Sequence, residues 1–272
     1  YRRNKRLGLD APHTQLVIQE LGRFHAASQL VETALGTKIQ DKYPTFKGKI
    51  WCENMTSLRP WMSSLFEDTI SLAKKEGSKY DGVLRWLEKS QKTILELLDH
   101  YVKDDAPQFS VLGHGDCWTG NIMFRYTEDN ELKDVRIYDF QDIRKTSVAI
   151  DLNNLFYNVM NGTSRKAHRQ KLLSLYYNSF RDVITGTGRS PPFTLKQLDD
   201  ECRKKMVFGV LKGIMYTKMT IGAPEVLNDW NVREEIKDGK AQSSVKGDSN
   251  EEEIRQRFLD IFEEMIQFGI VG

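Results

Sequence analysis

The chain has 272 residues, 39% of them hydrophobic and 29% charged, which is ordinary for a globular protein of one large or two small domains. A net charge of +2 gives no electrostatic argument for nucleic acid or a membrane surface as partner. No apolar run approaches the roughly 20 residues that span a bilayer, so no membrane span is expected. Three scattered cysteines exclude a disulfide framework and a zinc site, and they favour a reducing, cytoplasmic location.

The N-terminal third is predicted to be helical. From Pro12 to Gly36, apolar residues recur every three or four positions, which predicts an amphipathic helix. The mixed residues 37–55 are predicted to form a loop. Similar apolar stripes predict helices over 56–75 and 80–103, separated by Gly77 and Ser78.

The periodicity then changes to that of short strands. Residues 109–114, 121–126 and 135–140 are predicted strands, and the polar residues 127–133 form a hairpin loop between the last two. Helical patterns return in 152–159, 172–183, 194–222 and 254–266, and residues 237–253 are predicted to be a mobile surface loop. The fold class is therefore α+β and mostly helical, with a small β-hairpin.

The most informative residues lie in this β-rich region. Residues 114–121 read His-Gly-Asp-Cys-Trp-Thr-Gly-Asn, and residues 138–141 read Tyr-Asp-Phe-Gln. Asp116, Asn121 and Asp139 thus stand at strand ends and on a loop, in an order that suits phosphoryl transfer. Asp116 would orient an acceptor hydroxyl and take its proton, whereas Asn121 and Asp139 would hold Mg²⁺ and through it the nucleotide.

Each of these residues also has a plain structural interpretation. Asp116 could cap a turn, Asn121 could form an Asx-turn, and Asp139 could pair with a Lys or Arg. It is the joint pattern, with its five-residue spacing and a second Asp after a hairpin, that favours the catalytic interpretation.

Four further residues are expected to organise the loop. His114 and Gly115 would shape it, and Trp118 would pack beneath it. Asp151 is either a first-turn acid of the next helix or a buried anchor that bonds the loop backbone. The loop position of Cys117 suggests an accessible thiol, although nothing adjacent argues for a nucleophile.

These motifs resemble the CHK kinase-like proteins, the ecdysteroid 22-kinase-like family related to choline and aminoglycoside phosphotransferases. Asp151-Leu and the segment Leu21-Gly-Arg-Phe-His-Ala-Ala-Ser add to the resemblance, which extends from about Gly8 to the C-terminal helix. It implies a protein-kinase-like fold with ATP and Mg²⁺ as cofactors and a small-molecule alcohol as acceptor. It also implies that Asp116 is the catalytic aspartate and that Asn121 and Asp139 bind the metal and the cofactor.

The chain departs from the family pattern before its first helix. Residues 1–50 contain no Gly-rich loop followed by a strand Lys, and residues 1–11 resemble a remnant of the hinge between lobes. With Tyr1 rather than Met at its start, the chain is expected to be the C-terminal lobe alone, a single domain over 1–272, and a fragment of a longer kinase. Taken by itself it would then have little activity, because much of the ATP clamp would be missing.

Two functions from different classes follow. The first is ATP- and Mg²⁺-dependent phosphorylation of a hydroxylated small molecule, such as an ecdysteroid or another lipophilic alcohol. The alternative is a catalytically silent binding module for a small hydrophobic ligand or a protein partner. The pattern predicts neither the acceptor nor the oligomeric state.

Overall fold

A computed structural model of the chain describes residues 2–3, 8–48, 51–103, 105–217, 221 and 251–271. The described part is mostly helical with a few short strands, which confirms the predicted α+β class. Residues 1–49 and 102–209 form one compact unit, and residues 50–101 and 210–272 form another. The single-domain expectation stays a prediction.

The helices and strands are short except for two long helices. In chain order the α-helices are α1 (Ala11–Leu35), α2 (Ile39–Lys42), α3 (Trp51–Asn54), α4 (Arg59–Ser64), α5 (Glu67–Lys75), α6 (Asp81–Lys92), α7 (Ile94–Val102), α8 (Val148–Val159), α9 (Gly162–Thr185), α10 (Leu195–Lys204), α11 (Met206–Thr217) and a C-terminal helix (Glu251–Gln267). The strands are β1 (Arg2–Arg3), β2 (Ser110–Gly113), β3 (Ile122–Tyr126), β4 (Leu132–Ile137) and β5 (Arg144–Ser147).

Helix α1 has the ends that its sequence predicts. The Asp10 side chain caps its N-terminus by accepting the backbone N–H of His13 at 3.1 Å, and Pro12 occupies the first turn. Gly36 ends the helix in the left-handed conformation, with φ of +64°. The helix packs closely on α9, since a Cβ on Gly22 would lie 2.7 Å from the Tyr176 carbonyl oxygen.

Two small antiparallel sheets lie in the same unit. Strand β3 pairs with β4, with Ile122 opposite Ile137, and β1 pairs with the other edge of β3. Strand β2 pairs with β5, with Val111 opposite Thr146. The sequence did not predict β5, because only four residues, Arg-Lys-Thr-Ser, form it and none of them is apolar. As a result, strands β2 and β3, which flank residues 114–121, belong to different sheets.

Helix α8 follows β5 directly and is buried along its whole length. Its N-cap is Ser147, whose hydroxyl accepts the N–H of Ala149 at 3.3 Å. Asp151 therefore lies in the first turn, inside the protein, and not at the cap.

The second unit has a buried apolar core that includes Phe66, Leu87 and Leu98, and polar contacts join its helices around this core. Both carboxylate oxygens of Asp99 accept backbone N–H groups at the start of α3, from Trp51 at 2.6 Å and Cys52 at 2.8 Å. The guanidinium of Arg59 donates two hydrogen bonds to the carboxylate of Glu96, from Nη1 to Oε2 at 2.9 Å and from Nη2 to Oε1 at 2.7 Å. Bidentate pairs of this kind fix the relative orientation of two elements, here α4 and α7.

Several predicted boundaries were wrong. The predicted loop over 37–55 contains α2, α3 and a short 3-10 turn, and the predicted helix over 56–75 is interrupted between α4 and α5. The predicted helix over 80–103 divides at Thr93, and the one over 194–222 divides at Lys205. Of the predicted mobile loop over 237–253, residues 237–250 lie outside the described residues, whereas 251–253 already belong to the C-terminal helix. Apolar periodicity continues across such breaks, because the segments on both sides face the same core.

Candidate active site

The loop that carries Asp116 begins directly after β2, and its backbone is hydrogen-bonded to the buried side chain of Asp151. One carboxylate oxygen of Asp151 accepts the N–H of His114 at 2.5 Å, and the other accepts the N–H of Gly115 at 2.9 Å. Asp151 is fully buried, so both bonds are shielded from water. These two bonds hold the backbone of His114 and Gly115 in place, and they thereby fix the direction of the chain after β2.

Gly115 is required by the turn itself. Its φ is +83°, and a Cβ at this position would lie 2.3 Å from the carbonyl oxygen of Asp142. The loop therefore passes so close to the segment after Asp139 that no side chain fits between them. This close approach brings the Asp116 loop and the Asp139 segment together.

Asp116 itself is held by two side chains from its own loop. The Asn121 amide donates to the carbonyl oxygen of Asp116 at 2.9 Å and to its Oδ2 at 3.1 Å. The indole N–H of Trp118 donates to the same Oδ2 at 3.2 Å. Asp116 and Trp118 are partly exposed, whereas Asn121 is buried. The carboxylate is thus oriented while remaining within reach of solvent.

His114 joins this loop to the end of β4. Its Nε2 lies 2.9 Å from the carbonyl oxygen of Tyr138, to which it can donate, and its Nδ1 accepts the N–H of Asp116 at 3.3 Å. The ring is fully buried. These bonds support the role of loop organiser and leave no proton transfer for His114 to perform.

Asn121 and Asp139 lie at the ends of paired strands. Asn121 immediately precedes β3, and the N–H of Tyr138, just after β4, donates to its carbonyl oxygen at 3.1 Å. The Tyr138 hydroxyl also donates to the carbonyl of Gly120. Asp139 therefore follows a residue whose backbone is bound to both Asn121 and His114.

Asp139 has two unusual properties. It adopts the left-handed conformation, with φ of +66° and ψ of +67°, which is uncommon for a residue other than Gly. Its side chain is exposed and has no hydrogen-bond or ion-pair partner within the described residues. A strained backbone that presents an unpaired carboxylate to solvent is typical of a functional position.

The donor set fits a magnesium ion. Mg²⁺ is commonly held by one or two carboxylates together with water and phosphate oxygens, and a dedicated cage of protein ligands is unnecessary. No group of three or more His, Cys, Asp or Glu side chains in the described ranges could hold a metal ion. The carboxylate of Asp139 and the amide oxygen of Asn121 are the oxygen ligands available at the strand ends.

The sequence did not reveal how Asp151 is supported. His25 of α1 is fully buried, and its Nε2 lies 3.1 Å from Oδ2 of Asp151. Burial raises the pKa of Asp151, but the hydrogen bond from His25, the imidazoles of His25 and His114, and the N–H of Gly115 together hold that pKa below its ordinary value. Nothing in the spacing of His25 and Asp151, 126 residues apart, could have paired them.

The expectation that Cys117 is accessible was wrong. Its side chain is fully buried, and burial together with the neighbouring charges of Asp151 and Asp116 raises the pKa of the thiol well above its ordinary value. Cys117 is therefore a protonated core residue, because the loop turns it inward while it turns Asp116 outward.

Comparison with known proteins places the chain in a family. A family model described as ecdysteroid kinase-like matches residues 1–188, which is more than half of the chain and includes every residue of the site. No curated protein matches the chain. No helix in the described ranges is both long and apolar enough to cross a membrane.

Proposed function

The chain belongs to the ecdysteroid kinase-like family, and on that premise we propose that it transfers the γ-phosphoryl group of ATP, with Mg²⁺, to a hydroxyl of a small molecule. Membership supports a kinase-like phosphotransferase that acts on small molecules. The proposal goes beyond family membership in naming ATP as the phosphate donor, Mg²⁺ as the metal ion, and a hydroxylated lipophilic compound such as an ecdysteroid as the acceptor.

One observation carries the proposal. The Asn121 amide binds Asp116 through two hydrogen bonds, while the unpaired carboxylate of Asp139 projects from the neighbouring strand end. The two aspartates therefore suit different roles. The carboxylate of Asp116 is oriented by hydrogen-bond donors, whereas the carboxylate of Asp139 is available to bind a cation. Two aspartates that served only as turn caps would not differ in this way.

The chemistry assigned to this chain is mainly positioning. The carboxylate of Asp116 would accept a hydrogen bond from the acceptor hydroxyl and align its oxygen with the γ-phosphorus. As the new phosphorus–oxygen bond forms and the bond to ADP breaks, the hydroxyl proton passes to Asp116. Trp118 and Asn121 hold the carboxylate in one orientation, which lowers the entropy cost of alignment.

Asn121 and Asp139 would hold the metal. When bound, Mg²⁺ supplies charge neutralisation to the triphosphate. Asp139 contributes a negative charge to that ion, and Asn121 contributes a neutral oxygen. Because Asn121 also binds Asp116, the metal ligand and the acceptor-orienting group are fixed to each other.

The proposed setting is cytoplasmic, and the proposed partner is the small-molecule acceptor. All three cysteines, Cys52, Cys117 and Cys202, are free thiols, which supports a reducing compartment. The small net charge gives no support to nucleic acid as a partner.

The deciding experiment measures Mg²⁺-dependent phosphate transfer from γ-labelled ATP to a panel of hydroxylated steroids and other lipophilic alcohols. It uses this chain and a longer protein that includes any residues encoded before Tyr1. Transfer that requires Mg²⁺ and is abolished by Asp116→Asn supports the proposal. If neither protein transfers phosphate to any member of the panel, the kinase proposal fails and the silent binding module becomes the better interpretation.

A further inference from the structure

Three buried side chains behind the catalytic loop form a continuous hydrogen-bond relay. The imidazole of His25 lies between Asp151, 3.1 Å from Nε2, and the hydroxyl of Tyr176, 2.7 Å from Nδ1. The three residues come from α1, α8 and α9, and all are fully buried. Because Asp151 binds the N–H groups of His114 and Gly115, the relay ends on the backbone next to Asp116.

The chemistry of the relay fixes the imidazole in one tautomer. Burial raises the pKa of Tyr176 well above its ordinary value, so the phenol keeps its proton. In the described part of the chain, Nδ1 of His25 is the hydrogen-bond partner of this hydroxyl. When the imidazole is neutral, the Tyr176 O–H donates to Nδ1, which places the ring proton on Nε2, where it is donated to Asp151.

We propose that His25 is a positioning residue for phosphoryl transfer, and that Tyr176 sets the tautomer in which it holds Asp151. This inference rests on the proposed function, since it concerns the same catalytic loop. Asp151 has two oxygens and three donors: two N–H groups of the loop and the Nε2–H of His25. The imidazole adds a third bond to this carboxylate, so that rotation away from the loop would also break the bond to His25.

The alternative is that the relay only fills the core. The ring of Tyr176 stacks on Phe180 at a centroid distance of 6.1 Å, and both rings are fully buried. If packing were the whole contribution, removing the Tyr176 hydroxyl would leave transfer unchanged, and shortening Phe180 would be as harmful as altering His25.

The test compares three variants with the wild type. Tyr176→Phe removes only the hydroxyl, His25→Leu removes both ring nitrogens at similar volume, and Phe180→Leu is a packing control on the same helix face. We expect kcat to fall about tenfold in Tyr176→Phe and about a hundredfold in His25→Leu, with the KM for the acceptor nearly unchanged, because misalignment acts on the transition state. Phe180→Leu should lower the melting temperature but keep kcat.

A conservative replacement should restore part of the loss. In His25→Gln the side-chain amide can still donate to Asp151, so its kcat should exceed that of His25→Leu. Equal kcat values in these two variants, or an unchanged kcat in Tyr176→Phe, would overturn the inference.

A second measurement separates this inference from the proposed function. Amide hydrogen exchange of His114 and Gly115, followed by NMR, needs no turnover. Faster exchange at these two amides in His25→Leu and Tyr176→Phe, but not in Phe180→Leu, supports the relay even if no acceptor is found. Unchanged exchange in the first two variants refutes it, whereas absence of wild-type turnover refutes only the kinase proposal.

Discussion

The side-chain amide of Asn121 donates two hydrogen bonds to Asp116, one to its carbonyl oxygen and one to Oδ2. Asn121, a candidate metal ligand, therefore holds the position of Asp116, the candidate acceptor-orienting residue. For this reason Asp116 is the residue whose replacement should affect chemistry most directly. In Asp116→Asn the carboxylate that we propose as the proton acceptor is lost, while the size of the side chain is kept.

We expect Asp116→Asn to lower kcat by a factor on the order of 10² to 10⁴, the usual contribution of a positioned acid or base. Circular dichroism and thermal melting should show an intact fold, because Asp116 is partly exposed. Survival of near wild-type transfer would contradict the assignment of Asp116.

Trp118 should contribute through its indole N–H. Trp118→Phe keeps an aromatic ring but removes the donor to Oδ2 of Asp116, which lies 3.2 Å from Nε1. One of the two side-chain donors then remains, and we expect kcat to fall about ten- to a hundredfold, since one hydrogen bond to a charged group is worth roughly 1.5–3 kcal/mol. Steady-state kinetics check this, and Trp61→Phe in the other unit serves as a control for general loss of indole.

Asp139 should matter for the metal and little for stability. Asp139→Asn removes the charge of an exposed carboxylate without breaking a described contact, so the melting temperature should hardly change. We expect the affinity for Mg·ATP, measured calorimetrically, to fall about tenfold or more. Asp129→Asn, at an equally exposed position in the β3–β4 turn, should bind as the wild type does. Equal affinity in both variants would remove Asp139 from the metal site.

Gly115 should be the least replaceable residue of the loop. Gly115→Ala and Gly188→Ala both place a Cβ at positive φ, +83° and +78°, but only Gly115 faces a neighbour, at 2.3 Å, since Gly188 has nothing within 4 Å. Positive φ alone costs roughly 1–2 kcal/mol. Urea unfolding should therefore show a loss of about 1 kcal/mol for Gly188→Ala and about 3 kcal/mol or more for Gly115→Ala. Similar losses would mean that the loop can move away from Asp142.

Asp151 should make the first unit sensitive to acid. Its pKa is lower in the folded protein than the value near 3.9 of an unfolded chain, so between these values the unfolded state binds more protons. The stability from Asp151 is thus complete above about pH 5 and is lost as the pH falls through the folded pKa. Unfolding free energies measured from pH 7 downward should fall less steeply in Asp151→Asn.

At neutral pH, Asp151→Asn should be less stable than the wild type by about 3 kcal/mol, because a buried, fully bonded carboxylate is replaced. Asp182→Asn removes a carboxylate that is 65% exposed on the surface, so it should keep the acid dependence of the wild type. An acid dependence of Asp151→Asn identical to that of the wild type would place the sensitive group elsewhere.

Much of the site could be anticipated because its residues are close together in the sequence. The loop of Asp116 and the strand ends of Asn121 and Asp139 lie within 24 residues. Turn-forming residues predicted the loop, and the alternation of apolar and polar residues predicted the strands. The α+β class followed from helical periodicity in the same way.

What the sequence did not reveal depends on contacts between distant residues. His25 reaches Asp151 across 126 positions, and a buried polar pair has no periodic signature. The β2–β5 pairing was missed because β5 is short and polar, so that its burial comes from tertiary packing rather than from its own residues. Helix breaks such as the one at Thr93 were missed because the apolar stripe continues through them.

The pairing of β2 with β5 ties the two ends of the site segment together. Gly113 lies opposite Arg144, and His114, directly after β2, binds Asp151, four residues after β5. The segment between Gly113 and Arg144 is a closed loop of about thirty residues, and it carries Asp116, Asn121 and Asp139. The entropy cost of closing that loop is therefore met when the protein folds and not when substrates bind, which leaves more of the binding energy for the transition state.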